Sequence, residues 1–254
     1  MGAVITEKEL LTLCGQVGRV LLTSGAETSR VETTVEYIGK AAGFTVTCHA
    51  TMTAILISED LNNRVHIVKI RGNQFNLQKL DEINHLSRQF TEGRLSFAEL
   101  QGEVNRIDQK VIDFKWPEKI LSAGLVSVAP MMLFKASWSD LAWAFLVGIC
   151  GYLIAQWAFY KVQGAYAAPA LGGLTVGFLA GLLFALHLGQ NADHIAVSAL
   201  MPLVPGVAMT NSFREIIGRD TISGLVRAVD AVVTAGAIGG GVIIGHFLAQ
   251  LLTL

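Results

Sequence analysis

Seven polar or charged residues crowd a short stretch late in the chain: Asn211, Arg214, Glu215, Arg219, Asp220, Arg227 and Asp230. Arg227 and Asp230 are three apart, so on a helix they share a face and can partly neutralise one another. Such a pair suits a zwitterion, whose carboxylate would take the guanidinium and whose ammonium would take Asp230. Just upstream, Pro202, Pro205 and Gly206 cut an apolar run at residues 192–209. Proline removes a helix hydrogen bond and clashes with the preceding turn, so the run is expected to break there. An opened helix N-terminus near Gly206 is a further place for an anion. In lipid, backbone groups freed in this way need protein or a wet cavity around them, and broken helices of this kind line transport sites. The candidate substrate-binding residues are therefore Pro205, Gly206, Asn211, Glu215, Asp220, Arg227 and Asp230, with Glu215 or Asp230 as candidate proton carriers. A charge at mid-membrane costs about 2.5–3.5 kcal/mol, which favours a buried pair or a wet cavity over lipid. The simpler alternative is an Arg227 that snorkels to the interface, with the helix break a plain kink.

A second group is Gly25, Glu27, Arg30 and Glu32, in the run GAETSRVE. Gly25 ends one helix, and Glu27 is expected in the first turn of the next, where the helix dipole favours a carboxylate. Glu27 and Arg30 are three apart and can pair, giving a tight helical corner and a candidate docking surface toward the apolar part of the chain. Hydrolysis is the competing chemistry, since Glu27, Glu32, His49 and Ser58 are all present. No nucleophile elbow, HExxH or triad pattern accompanies them, and no Walker A motif points to ATP. His49, His66 and His85 are isolated, so neither a metal site nor a cofactor is expected. Cys14, Cys48 and Cys150 show no CxxC spacing and read as free thiols of a reducing compartment.

These residues sit in a chain of two characters. Hydrophobic residues make up 52% of the 254 and charged ones 15%, with a mean hydropathy of +0.50, too apolar for an ordinary soluble domain. Fourteen of the nineteen Lys and Arg precede residue 120. The division implies a soluble domain over residues 1–116 and a membrane domain over 117–254. Glu7 and Glu9 in the first ten residues argue against a signal peptide. A net charge of −1 offers nothing to nucleic acid.

In the first region, Thr6 with Glu9 and Ser96 with Glu99 have capping-box spacing and should each start a helix. Apolar residues recur at helical spacing from Leu10 to Leu21, from Val31 to Ile38, from Leu77 to Phe90, and from Leu100 to Val111. Gly25, Gly43 and Gly93 supply ends. Three β-like runs, at 44–50, 54–58 and 64–70, lie between the second and third helices, with Leu61-Asn62-Asn63 as a turn. The sum is an α+β domain built from two helices, a small antiparallel sheet and two more helices.

Beyond it, five apolar spans are countable, at 120–134, 141–159, 170–188, 192–209 and 222–252, the fourth broken by proline. Trp138, Trp143, Trp157 and Tyr160 suit interfacial belts. Gly173, Gly177 and Gly181, and likewise Gly236, Gly239, Gly240, Gly241 and Gly245, suit close helix packing. Lys161, Arg214 and Arg219 then fall in loops on the same side as the soluble domain, with Lys135 opposite. The positive-inside rule puts that domain in the cytoplasm and the C-terminus outside.

The chain resembles the threonine/serine exporter family over nearly its whole length. The resemblance is carried by GAETSRVETTVEYIGKAAGF at 25–44 and by the stretch from Asn76-Leu77 to Ser96-Phe97-Ala98. Most specific is LVPG...N...E..G.D..SG..R..DA, whose positions here are 203–206, Asn211, Glu215, Gly218, Asp220, Ser223-Gly224, Arg227 and Asp230-Ala231. Asp230 stands where the family often has Glu. The resemblance implies an α-helical inner-membrane protein that exports small amino acids or small carboxylates by proton or membrane potential. Single-chain members carry a second membrane half. Ending at Leu254, this chain resembles the larger subunit of a two-gene version, implying a second small membrane subunit or a homo-oligomer as partner. The alternatives are a membrane-anchored enzyme with its site in residues 1–115 and a regulatory scaffold.

Overall fold

The computed structural model of the protein describes residues 5–59, 62–72, 75–110, 114–134, 137–162 and 164–253, with the side chains of 62–64 and 134 outside that description. In chain order the elements are α1 (Glu7–Thr23), α2 (Thr28–Ala41), β1 (Val46–Ala50), β2 (Ala54–Glu59), β3 (Asn62–Lys69), α3 (Leu77–Thr91), α4 (Phe97–Gln109), α5 (Trp116–Val128) and α6 (Met131–Phe134). There follow α7 (Trp138–Lys161), α8 (Ala167–Ala185), α9 (Ala192–Ala199), a 3-10 turn (Met201–Leu203), α10 (Gly206–Ile217) and α11 (Thr221–Thr253). The chain divides into two compact units, residues 1–112 with 207–228, and residues 113–206 with 229–254. The first therefore takes in most of α10 and the opening turns of α11, which the hydropathy pattern assigns to the membrane region.

In the first unit, local chemistry sets the helix boundaries. Thr6 and Ser96 each accept from the backbone of a residue three ahead, and Glu9 and Glu99 reach back to close both capping boxes. These reciprocal bonds hold both carboxyls below the usual range. The three strands form one antiparallel sheet in the order β1-β2-β3. Its alternation buries Val46, Cys48 and Ala50 of β1 and Ile55 and Ile57 of β2 against α1 and α2. Asn62 and Asn63 belong to β3, with Glu59 opposite Asn62, rather than to the turn expected there. Leu61 lies outside the described residues, as does Val111 at the expected end of α4. Leu10, Leu13, Leu21, Ile38, Ile83, Leu100 and Ile107 complete the core.

The second unit is helical. Among the described residues three helices, α7, α8 and α11, are each long and apolar enough to cross a membrane, and α9 to α10 make a fourth if counted as one interrupted span. That interruption falls at Val204-Pro205, as the prolines predict. The first expected span is also cut, into α5 and the short α6, ahead of which stands Pro130. Helices α8 and α11 meet through main chain on both sides. A Cβ at Gly173 or Gly177 would strike the carbonyls of Ile238 and Val242, and one at Gly241 or Gly245 those of Ala170 and Leu174. Gly236, Gly239 and Gly240 face open space instead, so only part of the α11 glycine run serves packing within the unit. Asp140, 2% exposed near the start of α7, accepts from the N–H of Gln190, while Trp143 donates to the carbonyl of Leu188. Trp138 and Tyr160, at opposite ends of α7, are both largely exposed, and Lys135 lies outside the described residues.

Candidate functional site

The site is built where two helical corners of the first unit meet. Corner one runs from Ser24 to Thr28. Gly25 has φ +100, left-handed backbone open mainly to glycine, and a Cβ there would also lie 2.6 Å from the ring of Phe75. The sharp turn between α1 and α2 presents the carbonyls of Gly25 and Ala26 and the N–H of Thr28. Corner two joins α10 to α11 through Gly218, Arg219 and Asp220. Arg219 adopts φ 72, a left-handed conformation costing a non-glycine residue about 1–2 kcal/mol. The tight reversal lets Asp220 N–H close on the carbonyl of Glu215 at 2.8 Å.

Between the corners lies a buried ion pair. Arg227 on α11 places Nε 3.0 Å from Glu215 Oε2 and Nη2 3.0 Å from Oε1. Their side chains are 4% and 0% exposed. The pair carries supporting bonds: Thr28 N–H donates to Glu215 Oε1 at 3.1 Å, and Arg227 Nη2 donates to the carbonyl of Ala26 at 3.3 Å. The Thr28 hydroxyl lies 3.4 Å from Asp220 Oδ2 and 3.5 Å from Glu215 Oε1, a position from which it serves either carboxylate. Asn211, also buried, donates to the carbonyl of Gly25 at 3.0 Å. At the exposed edge Arg214 holds Glu27 at 3.0 Å.

The geometry corrects several expectations. Arg227 pairs with Glu215 and not with Asp230, because α10 offers it a bidentate, desolvated partner. Asp230 is exposed and accepts from the hydroxyl of Tyr166 at 2.9 Å, within the second unit. Nor does Arg227 snorkel, since every bond it makes is internal. Glu27 is the residue before α2 rather than part of its first turn, and it gives its carboxylate to Arg214 instead of Arg30. Arg30 lies exposed on α2. Glu32 accepts from the N–H of Ala50 at 2.8 Å and contacts His49 Nδ1 at 3.1 Å, tying α2 to β1. Pro205 and Gly206 belong by contact to the second unit, whereas Asn211, Glu215, Asp220 and Arg227 belong to the first. Gly25 does stand at the heart of corner one.

A family model for the threonine/serine exporter (ThrE) matches residues 12–249, and so takes in both corners and the ion pair. The chain belongs to the threonine/serine exporter family. Over 132 residues, 52% of the chain, it is 26% identical to a threonine/serine exporter of Corynebacterium glutamicum. Over 88 residues, 34% of the chain, it is 34% identical to a probable threonine/serine exporter of Mycobacterium tuberculosis. The matched parts span 27% and 16% of those relatives' own lengths. No solved structure matches the chain.

The threonine/serine exporter family is one of transporters, not of enzymes. Of the residues that suggested hydrolysis, Glu27 is held by Arg214, Glu32 by His49 and the β1 backbone, and Ser58 sits opposite Thr47 and Val65 in the sheet. Among the described residues no group of three or more His, Cys, Asp and Glu could hold a metal ion. Thr28 is the site residue that spacing did not reveal. It lies inside the GAETSR motif, but its N–H finds Glu215 only through a contact 187 residues away.

Proposed function

We propose that this chain is a subunit of a secondary exporter of small amino acids, threonine- or serine-like, or of small carboxylates. The observation that carries the reading is the desolvated Arg227–Glu215 pair, set in a family of exporters. Arg227 is a fixed, always-charged fork of the shape that binds a carboxylate bidentately, and Glu215 occupies it internally. A proton taken up by Glu215 would weaken its hold and free the guanidinium for the carboxylate of a substrate. Loss of that proton would restore the internal pair and expel the substrate. Asn211, Asp220 and Thr28 would steady the exchange, with Asp220 available to an ammonium, while Pro205, Gly206 and Asp230 would belong to the path rather than to the exchange itself. Proton or membrane potential would thus drive export.

In the same reading the protein has five spans in the inner membrane, with its N-terminal domain in the cytoplasm, its C-terminus outside and membrane lipid around it. It works with a second small membrane subunit or a second copy of itself, the two together supplying the repeats from which many transporters are built. The test is export of labelled threonine from cells loaded with a threonine dipeptide. Arg227→Lys keeps the charge and loses the planar fork, and is expected to cut export severely at normal protein level. Export at the wild-type rate would remove Arg227 from the path.

A further inference from the structure

Five arginines grouped in the first unit each hold a carboxylate: Arg19 with Asp108, Arg94 with Glu92, Arg106 with Glu103, Arg214 with Glu27 and Arg227 with Glu215. Arg30 on α2 and Arg88 on α3 have no carboxylate partner among the described residues, and both line one cleft of about 390 Å³ between those helices. Among the described residues no acidic side chain lines it. That volume falls within the range of small-ligand sites, about 300–1,000 Å³.

The rest of the lining gives the cleft its chemistry. Asn84, Ser87 and Thr34 are polar yet 5–8% exposed. Their donors point away into the helices: Asn84 Nδ2 to the carbonyl of Leu80, Ser87 Oγ to that of Asn84, and Thr34 Oγ1 to that of Arg30. With those protons committed, Ser87 and Thr34 offer the cleft oxygen lone pairs, and Asn84 offers its carbonyl oxygen beside one remaining amide N–H. Tyr37 closes one side and is 60% exposed. Two cations and a floor of neutral acceptors define a ligand with a carboxylate at one end and N–H or O–H donors at the other. A bare phosphate meets the arginines but brings at most two O–H donors to the acceptors and no positive charge, and an amine without a carboxylate leaves the arginines unmatched.

We propose that the α2–α3 cleft binds a small α-amino acid, its carboxylate on Arg30 and Arg88 and its ammonium on the Asn84, Ser87 and Thr34 oxygens. This site shares no residue with the Arg227–Glu215 pair and does not require that the chain transport anything, so the two readings can fail separately.

The test is equilibrium binding to the purified full chain in detergent, with L-threonine and L-serine as probes and threoninol, inorganic phosphate and succinate as competitors. Saturable amino-acid binding is expected, weakened about tenfold or more by Arg30→Ala and by Arg88→Ala. Both residues are exposed, so both variants should fold, and Arg94→Ala should bind as wild type. Threoninol and phosphate should not displace the amino acid. Equal binding by wild type and the two variants overturns the proposal, as does displacement by phosphate or succinate at lower concentration than the amino acid itself. Absence of any amino-acid binding overturns it too.

Discussion

Arg227 lays two guanidinium nitrogens along the carboxylate of Glu215, each 3.0 Å from its own oxygen, with both side chains closed off from solvent. Removing one member of such a pair strands the other charge, at a cost of about 3–5 kcal/mol. Glu215→Ala is therefore expected to lower unfolding stability by that amount in a denaturant titration. Replacing both, as Arg227→Met with Glu215→Leu, should recover most of the loss while export stays abolished. A double variant no more stable than the single one would mean that the stranded charge is not the source of the instability.

Glu27 and Arg214 make the contrasting case, 26% and 64% exposed. Exposed pairs contribute about 0–1 kcal/mol. Glu27→Ala should thus change stability by less than about 1 kcal/mol. A severe export defect in a protein of normal stability and level would assign this edge a part in docking or gating. Near-normal export would leave it only its place at the corner.

The α8–α11 seam predicts opposite outcomes for glycines on the same helix. Gly245→Leu sets a side chain against the main chain of Leu174 and Phe178, where nothing can move aside cheaply. A Cβ at Gly239 meets no atom within 4 Å, so Gly239→Leu starts into open space. The first variant should fail to accumulate as folded protein and the second should purify at wild-type yield, as read by fluorescence-detected size-exclusion chromatography. Equal yields would refute the seam.

Burial pushes the thiol of Cys14 up from 9.0 to about 12. Below pH 9 both folded and unfolded thiols keep their proton, so stability is unaffected by this group. Above it the unfolded thiol ionises first, and the group's contribution is lost progressively up to about pH 12. Chemical denaturation at pH 8 and pH 10.5 should show a larger fall for wild type than for Cys14→Ala. Equal falls would show that this thiol is not held neutral by the fold.

Much of the first unit was legible because its signals are local. Thr6 with Glu9, Ser96 with Glu99, and the glycines at 25, 43 and 93 mark boundaries through bonds spanning a few residues, and the alternation from Val46 to Ile57 shows the sheet face directly. The site was legible only as a list. Spacing alone made Asp230 the neighbour of Arg227, whereas the partner it finds, Glu215, lies across a reversal that depends on a left-handed Arg219. A left-handed arginine leaves no mark in hydropathy or periodicity. The same limit hid Thr28, whose contribution is a backbone N–H and so is silent as to residue type. Glycine counting likewise could not separate Gly241 and Gly245, pressed on α8, from Gly236 and Gly239, where an added Cβ would meet no atom within 4 Å.

Helix α11 has 33 residues, a length of about 50 Å at 1.5 Å per residue, against a hydrocarbon layer of about 30 Å. About twenty residues suffice for a crossing, which leaves about thirteen over. The eight residues grouped with the first unit, 221–228, carry Ser223, Gly224 and Arg227 and fit inside that surplus. Arg227 can thus reside on a helix long enough to cross a membrane without its charge having to enter the hydrocarbon.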